Sequence, residues 1–284
     1  MRKCTVRRGW VSDAAMSRKG KQMRFMLCVL VAFASLAVAN DAYDDAHSVV
    51  TSGQITTGGP VWDGPFAELY SNGPWWNSAG TGEGGADESI LESPMNTLGF
   101  GFQTANDNRM ADDFVVPMGE TWTIESITCF GYQTNSGITP TINGLYLALY
   151  DDGPTSSPSV VWGDITTNYF SSAAFSNVYR VSSAGGGTAR PIMAVTADIS
   201  PSVVLGEGQY WLWVQMDGTG ASGPWAPPIA ILGEQTTGDA YQYTDAWALA
   251  LDSGTGTPQG IPFVLEGLPV ALENTTWGQI KSVF

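Results

Sequence analysis

The chain has 284 residues, enough to bury a sizeable hydrophobic core, so small disulfide- or metal-stapled scaffolds are excluded. Charged residues make up only 14% while Gly and Pro number 34 and 16, a balance that favours short strands joined by turns over a helical bundle. The net charge of −15 opposes polyanion binding, which needs clustered Lys and Arg, so nucleic acid is not the expected partner.

At the N-terminus, Arg2, Lys3, Arg7, Arg8, Arg18, Lys19, Lys21 and Arg24 precede an apolar run from Phe25 to Ala39 that ends in Ala37-Val38-Ala39. This is the layout of a secretory signal peptide. The run is shorter than the ~20 residues a membrane span needs, so cleavage after Ala39 is expected to leave no spanning segment. The expected location is extracellular or on the cell surface. Loss of residues 1–39 removes eight of the 12 basic residues and Asp13, leaving 4 basic against 26 acidic residues and a net charge of −22. Carboxylate repulsion on that scale makes bound Ca²⁺ the cofactor to consider. Cys4 and Cys28 leave with the leader, and Cys129 alone remains, read as a small buried hydrophobe in an apolar strand.

Residues 40–96 are rich in Gly, Ser, Pro, Asp and Trp and read as an irregular leading segment with one or two strands. Residues 97–268 read as an all-β domain, an antiparallel, jelly-roll-like β-sandwich. Ten apolar stretches bounded by turn residues are its candidate strands: 114–116, 122–132, 145–150, 160–162, 178–181, 192–199, 210–216, 229–232, 247–251 and 261–265. In the third, Leu145, Leu147 and Leu149 alternate with Tyr146, Ala148 and Tyr150, which puts an aliphatic face on the core and a partly aromatic face opposite. Residues 269–284 form a C-terminal tail.

Arg109-Met110-Ala111-Asp112-Asp113-Phe114, followed by Trp122-Thr123-Ile124 and the aromatic stretch Phe130-Gly131-Tyr132, resembles a pattern in secreted bacterial β-sandwich proteins of largely unassigned activity. Ile261-Pro262-Phe263-Val264-Leu265-Glu266-Gly267 is similar to their last strand. The resemblance implies a sandwich fold and secretion, and no particular reaction. Thr276-Trp277-Gly278-Gln279-Ile280-Lys281 resembles a short C-terminal signature of exported bacterial proteins, which implies a sorting or docking element. The plainer alternative is that its apolar residues pack on the parent domain.

Catalytic chemistry finds few residues to work with. His47 is the single histidine, so a Ser-His-Asp or Cys-His nucleophile has no evident base, and zinc lacks a usual ligand set. The chain is read as non-catalytic, with a carboxylate-dependent glycosidase as the remaining enzymatic alternative. For a hard cation, Asn106, Asp107, Asn108, Asp112 and Asp113 crowd oxygen ligands into one short stretch, against the alternative of a solvated loop. For a glycan or a cell-surface partner, Trp75, Trp76 and Trp225 lie beside Gly and Pro in loop contexts and are the expected exposed aromatics. Trp211 and Trp213 share one strand face about 7 Å apart and are expected to be core, with sugar stacking as the alternative. Two classes of function stand: a glycan- or partner-binding module, and a structural surface protein with no specific ligand.

Overall fold

The computed structural model describes residues 40–42 and 66–271, all strands, turns and loops apart from two short 3₁₀ turns. The leader and residues 272–284 lie outside the described residues. In chain order the strands are β1 (Asn40–Ala42), β2 (Glu68–Ser71), β3 (Asp87–Ile90), β4 (Thr97–Gly101), β5 (Arg109–Gly131), β6 (Ile142–Tyr150), β7 (Val160–Asn168), β8 (Ser172–Val181), β9 (Pro191–Gly218), β10 (Trp225–Ala226), β11 (Tyr241–Tyr243), β12 (Trp247–Leu249) and β13 (Phe263–Ala271).

Two long strands organise the sandwich. β5 and β9 pair antiparallel, but the ladder breaks between Val116 and Thr121, where Pro117-Met118-Gly119-Glu120 faces Gly206-Glu207-Gly208. Proline cannot donate to the ladder, and Gly119 has φ +80°, so this stretch ends regular pairing on both sides. On one side of the break the order is β12-β11-β5-β9-β6-β7. On the other, β13 and then β2 pair along β5, while β8 and then β3 pair along β9. Side chains from both halves meet in one core: Phe114, Leu147, Leu149, Leu212 and Val214 from the first, Ile127, Cys129, Val195 and Phe263 from the second. Among the described residues the strand pairings are antiparallel except β3 with β8, and Gln103 makes an isolated parallel bridge to Met216. β4 lies between β1 and β10 in a separate small sheet, and its Phe100 enters the same core.

Strand alternation sets which faces are buried. In the second half, Cys129, Met193, Val195, Phe263 and Leu265 face the main core, while their neighbours Phe130, Ile192, Ala194 and Val264 face a second apolar cluster on the opposite side. That half is covered on both faces. Leu145, Leu147 and Leu149 of β6 are fully buried in the main core, as the alternation requires. Gly267 shows how tightly β13 meets β5: it sits at a bulge, and a Cβ there would lie 2.0 Å from the Thr123 carbonyl oxygen.

The strand expectations fail in particular places. Stretches 114–116 and 122–132 belong to one strand, β5, and 192–199 and 210–216 to another, β9. Residues 229–232 are not a strand: Ile229 N–H donates to Gly260, Ala230 N–H donates to Pro74, and the Ile229 side chain closes against Gly73. The leading segment supplies β2 and β3, each paired to the sandwich. Burial pushes the Cys129 thiol well above its ordinary range. A thiol reagent is therefore expected to spare Cys129 in the folded chain and modify it in denaturant, as peptide mapping by mass spectrometry would show; rapid native labelling would mean that β5 opens.

Candidate functional site

The three tryptophans expected in exposed loops are not an exposed set. Trp225 is 8% exposed, because it belongs to β10, its backbone pairs with Tyr132, and its Nε1–H donates to Ser222 Oγ at 3.2 Å. Trp75 and Trp76 are half-buried and pack on the second apolar cluster, with Trp75 stacked on Phe130 at 4.1 Å between ring centroids. The physical reason is that the outer face of the second half-sheet is apolar and takes the indoles as its cover. Trp225 is thereby corrected from a surface contact to a core residue.

The five residues expected to share a cation do not form one ligand set. Asn106 ends a 3₁₀ turn and is exposed; Asp107, exposed at φ +54°, pairs with Arg109 at 2.5 Å. The buried Asn108 donates to Gln103 Oε1 at 3.0 Å. Asp112 and Asp113 instead approach Asp239, with carboxylate oxygens within 4.8 Å of one another. Asp112 is 2% exposed, and its oxygens accept from Asn72 Nδ2 at 2.7 Å, Ile261 N at 2.9 Å and Asp113 N at 3.0 Å. These bonds tie β5 to the segment just before β13 and to the residue after β2. Burial, opposed by those donors and reinforced by Asp113 and Asp239, pushes its carboxyl up to about 7.

The surface most unlike the rest is the outer face of the first half-sheet. Leu212 and Val214 of β9 point into the core, so Trp211 and Trp213 point out. Opposite them on β6 stand Tyr150 and Ala148, and on β5 Asp113 and Ala111. Next to Ala111 and Arg109, β11 places Tyr241 and Tyr243, and β12 sets Leu249 and Trp247 beside those. The rings form a chain of contacts: Tyr150 stacks on Trp213 at 4.0 Å, Trp247 is tilted against Trp213 at 4.6 Å, and Tyr243 meets Trp247 edge-on at 5.4 Å. The Arg109 guanidinium lies 4.6 Å over the Tyr243 ring. Trp211, 8% exposed, is held by Tyr241, whereas Tyr150, Trp213, Tyr243 and Trp247 are half-buried, as Trp75 and Trp76 are, but lie against one another along one sheet face. Trp213 is therefore neither the core residue expected nor a lone surface indole.

Arg109 is the one unburied basic side chain among the described residues, since Arg180 and Arg190 are buried. Carboxylates adjoin the aromatic chain: Asp113 stands opposite Trp211, Asp107 pairs with Arg109, Asp164 acts electrostatically on Tyr150, Asp151 and Asp152 follow Tyr150 directly, and Asp245 is at the tip between β11 and β12. The period-two aromatic alternation in Tyr146–Tyr150, Trp211–Trp213 and Tyr241–Tyr243 is a legible sign of such a face. Their adjacency is not, because β11 and β12 join it only through the tertiary pairing with β5. No family model, no curated protein and no solved structure matches the chain.

Proposed function

We propose that this is a secreted or cell-surface protein that binds a glycan without transforming it, and that the outer aromatic face of the first half-sheet is the contact surface. The observation that carries the reading is the continuous, half-buried chain of rings Tyr150–Trp213–Trp247–Tyr243, on a sheet whose inner face packs on the main core. Aromatic rings of this kind offer apolar contact to the C–H faces of sugars, while their polar tips and neighbouring side chains serve the hydroxyls. Placement on paired strands holds the rings in position before the ligand arrives, which lowers the entropic cost of binding. The signal-peptide reading of residues 1–39 and the resemblance to secreted sandwich proteins support the location.

A labelled-protein glycan screen followed by calorimetric titration tests this. Trp247→Ala, on a three-residue edge strand, is expected to weaken binding about tenfold or more while lowering stability by only about 1–2 kcal/mol. Unchanged affinity in this variant, or no glycan bound by the parent protein, would favour a structural surface protein with no specific ligand.

A further inference from the structure

Within the aromatic face, two hydrogen-bond donors are shut in without acceptors. Trp213 Nε1–H is enclosed, with Tyr150 stacked on the ring and Trp247 tilted against it, and it meets no partner. Arg109 Nε–H is likewise enclosed and unpaired, although Nη2 of the same group reaches Asp107. The two belong together: Ala111 lies opposite Trp213, and Arg109 is two residues along the same face of β5. Such diagonal neighbours are about 7–8 Å apart at their Cα atoms, within reach of long side chains. Arg109 also acts electrostatically on Tyr150, the ring that stacks on Trp213. A buried donor with no acceptor is unfavourable, and each one calls for a physical explanation. Their shared need is an acceptor oxygen.

Resting on the reading of this face as the binding surface, we infer that its ligand is an uncharged glycan, whose oxygens take the Trp213 and Arg109 N–H groups once Trp247 swings aside. Charge selects against the acidic alternative. A uronate or sulfated chain would bring its anions against Asp107, Asp113, Asp151, Asp152 and Asp245, with Arg109 already paired to Asp107. Trp247 is suited to move, because it sits on the short strand β12 between the exposed Ala246 and Ala248, and among the described residues no strand pairs beyond it.

The test uses the full chain and Trp213→Phe, which keeps an aromatic ring in the stack and deletes the N–H together with the five-membered ring, and Trp213→Tyr, a second variant without the N–H whose larger ring restores part of the lost contact. Probes are neutral hexasaccharides of glucose, mannose and N-acetylglucosamine, and an oligogalacturonate of matched length. The neutral ligand that binds best is expected to lose about tenfold in affinity with both variants, each still folding cooperatively and melting within a few degrees of the parent, and to bind the parent about tenfold more tightly than the uronate. Equal affinity of parent and Trp213→Phe, or equal affinity for neutral and acidic chains, overturns the inference and leaves the face as a binding surface. If the parent binds none of the probes, both are overturned.

Discussion

Replacing Arg180 with methionine is expected to lower stability by about 4 kcal/mol, with the midpoint of urea unfolding falling accordingly. Arg180 is 2% exposed on β8, and its guanidinium fans out to three backbone carbonyls. Nε donates to Leu98 at 2.9 Å, Nη2 to Thr97 at 3.3 Å, and Nη1 to the carbonyl and hydroxyl of Ser89 at 3.3 and 3.1 Å. One side chain thus joins β8 to β3 and to β4 of the small sheet. Methionine fills most of the volume but leaves those oxygens buried and under-bonded, each at a cost of about 1–3 kcal/mol. Against a total stability of about 5–15 kcal/mol, the loss would be a large fraction. Arg180→Lys is expected to recover less than half, since one ammonium cannot reproduce a planar fork aimed in three directions. A methionine variant as stable as the parent would mean that the carbonyls find other donors.

The second large effect is on pH dependence. Asp112 is raised from an ordinary carboxyl pKa to about 7 in the folded chain. Below about pH 4 it is protonated in both states, and its contribution to stability is fully present. As the pH rises toward 7 the unfolded chain loses this proton while the folded chain retains it, so stability falls; above 7 both states are ionised and the effect levels off. Over that window the loss attributable to Asp112 is of the order of 4 kcal/mol. Asp252 acts in the opposite sense: it is buried, accepts from the backbone N–H groups of Asn96, Thr97, Gly254 and Thr255, and is held below its ordinary value, so its contribution is lost as the pH falls. The loss from Asp252 falls at and below about pH 4, so denaturant titrations of the parent and Asp112→Asn from pH 4 to pH 8 isolate Asp112. The variant is expected to start less stable at pH 4, because its amide faces the Asp113 N–H, and to lose less stability on the way to pH 8. An unchanged slope would assign the effect to another group.

Local chemistry was enough to read the all-β class, the burial of Leu145, Leu147 and Leu149, and the burial of Cys129 from the chain itself. Period-two alternation and turn residues act over a few positions, and they specify faces and ends without reference to distant partners. The same locality explains the failures. Nothing near Trp225 announces that Tyr132 pairs with its backbone, and nothing near Trp75 announces an apolar outer sheet face waiting at Phe130. Asp112 and Asp113 read as parts of a loop-borne oxygen cluster, yet the register of β5 draws Asp112 to Asn72 and Ile261, far away along the chain.

The aromatic face shows most directly where the division falls. Each aromatic pair is visible as an alternation within its own strand, because side-chain direction is a property of the strand alone. That Tyr150, Trp213, Trp247 and Tyr243 form one continuous chain of rings is decided only when β6, β9, β5, β11 and β12 pair side by side. Strand order is set by packing energies between segments remote in sequence, and those terms have no local signature in the chain.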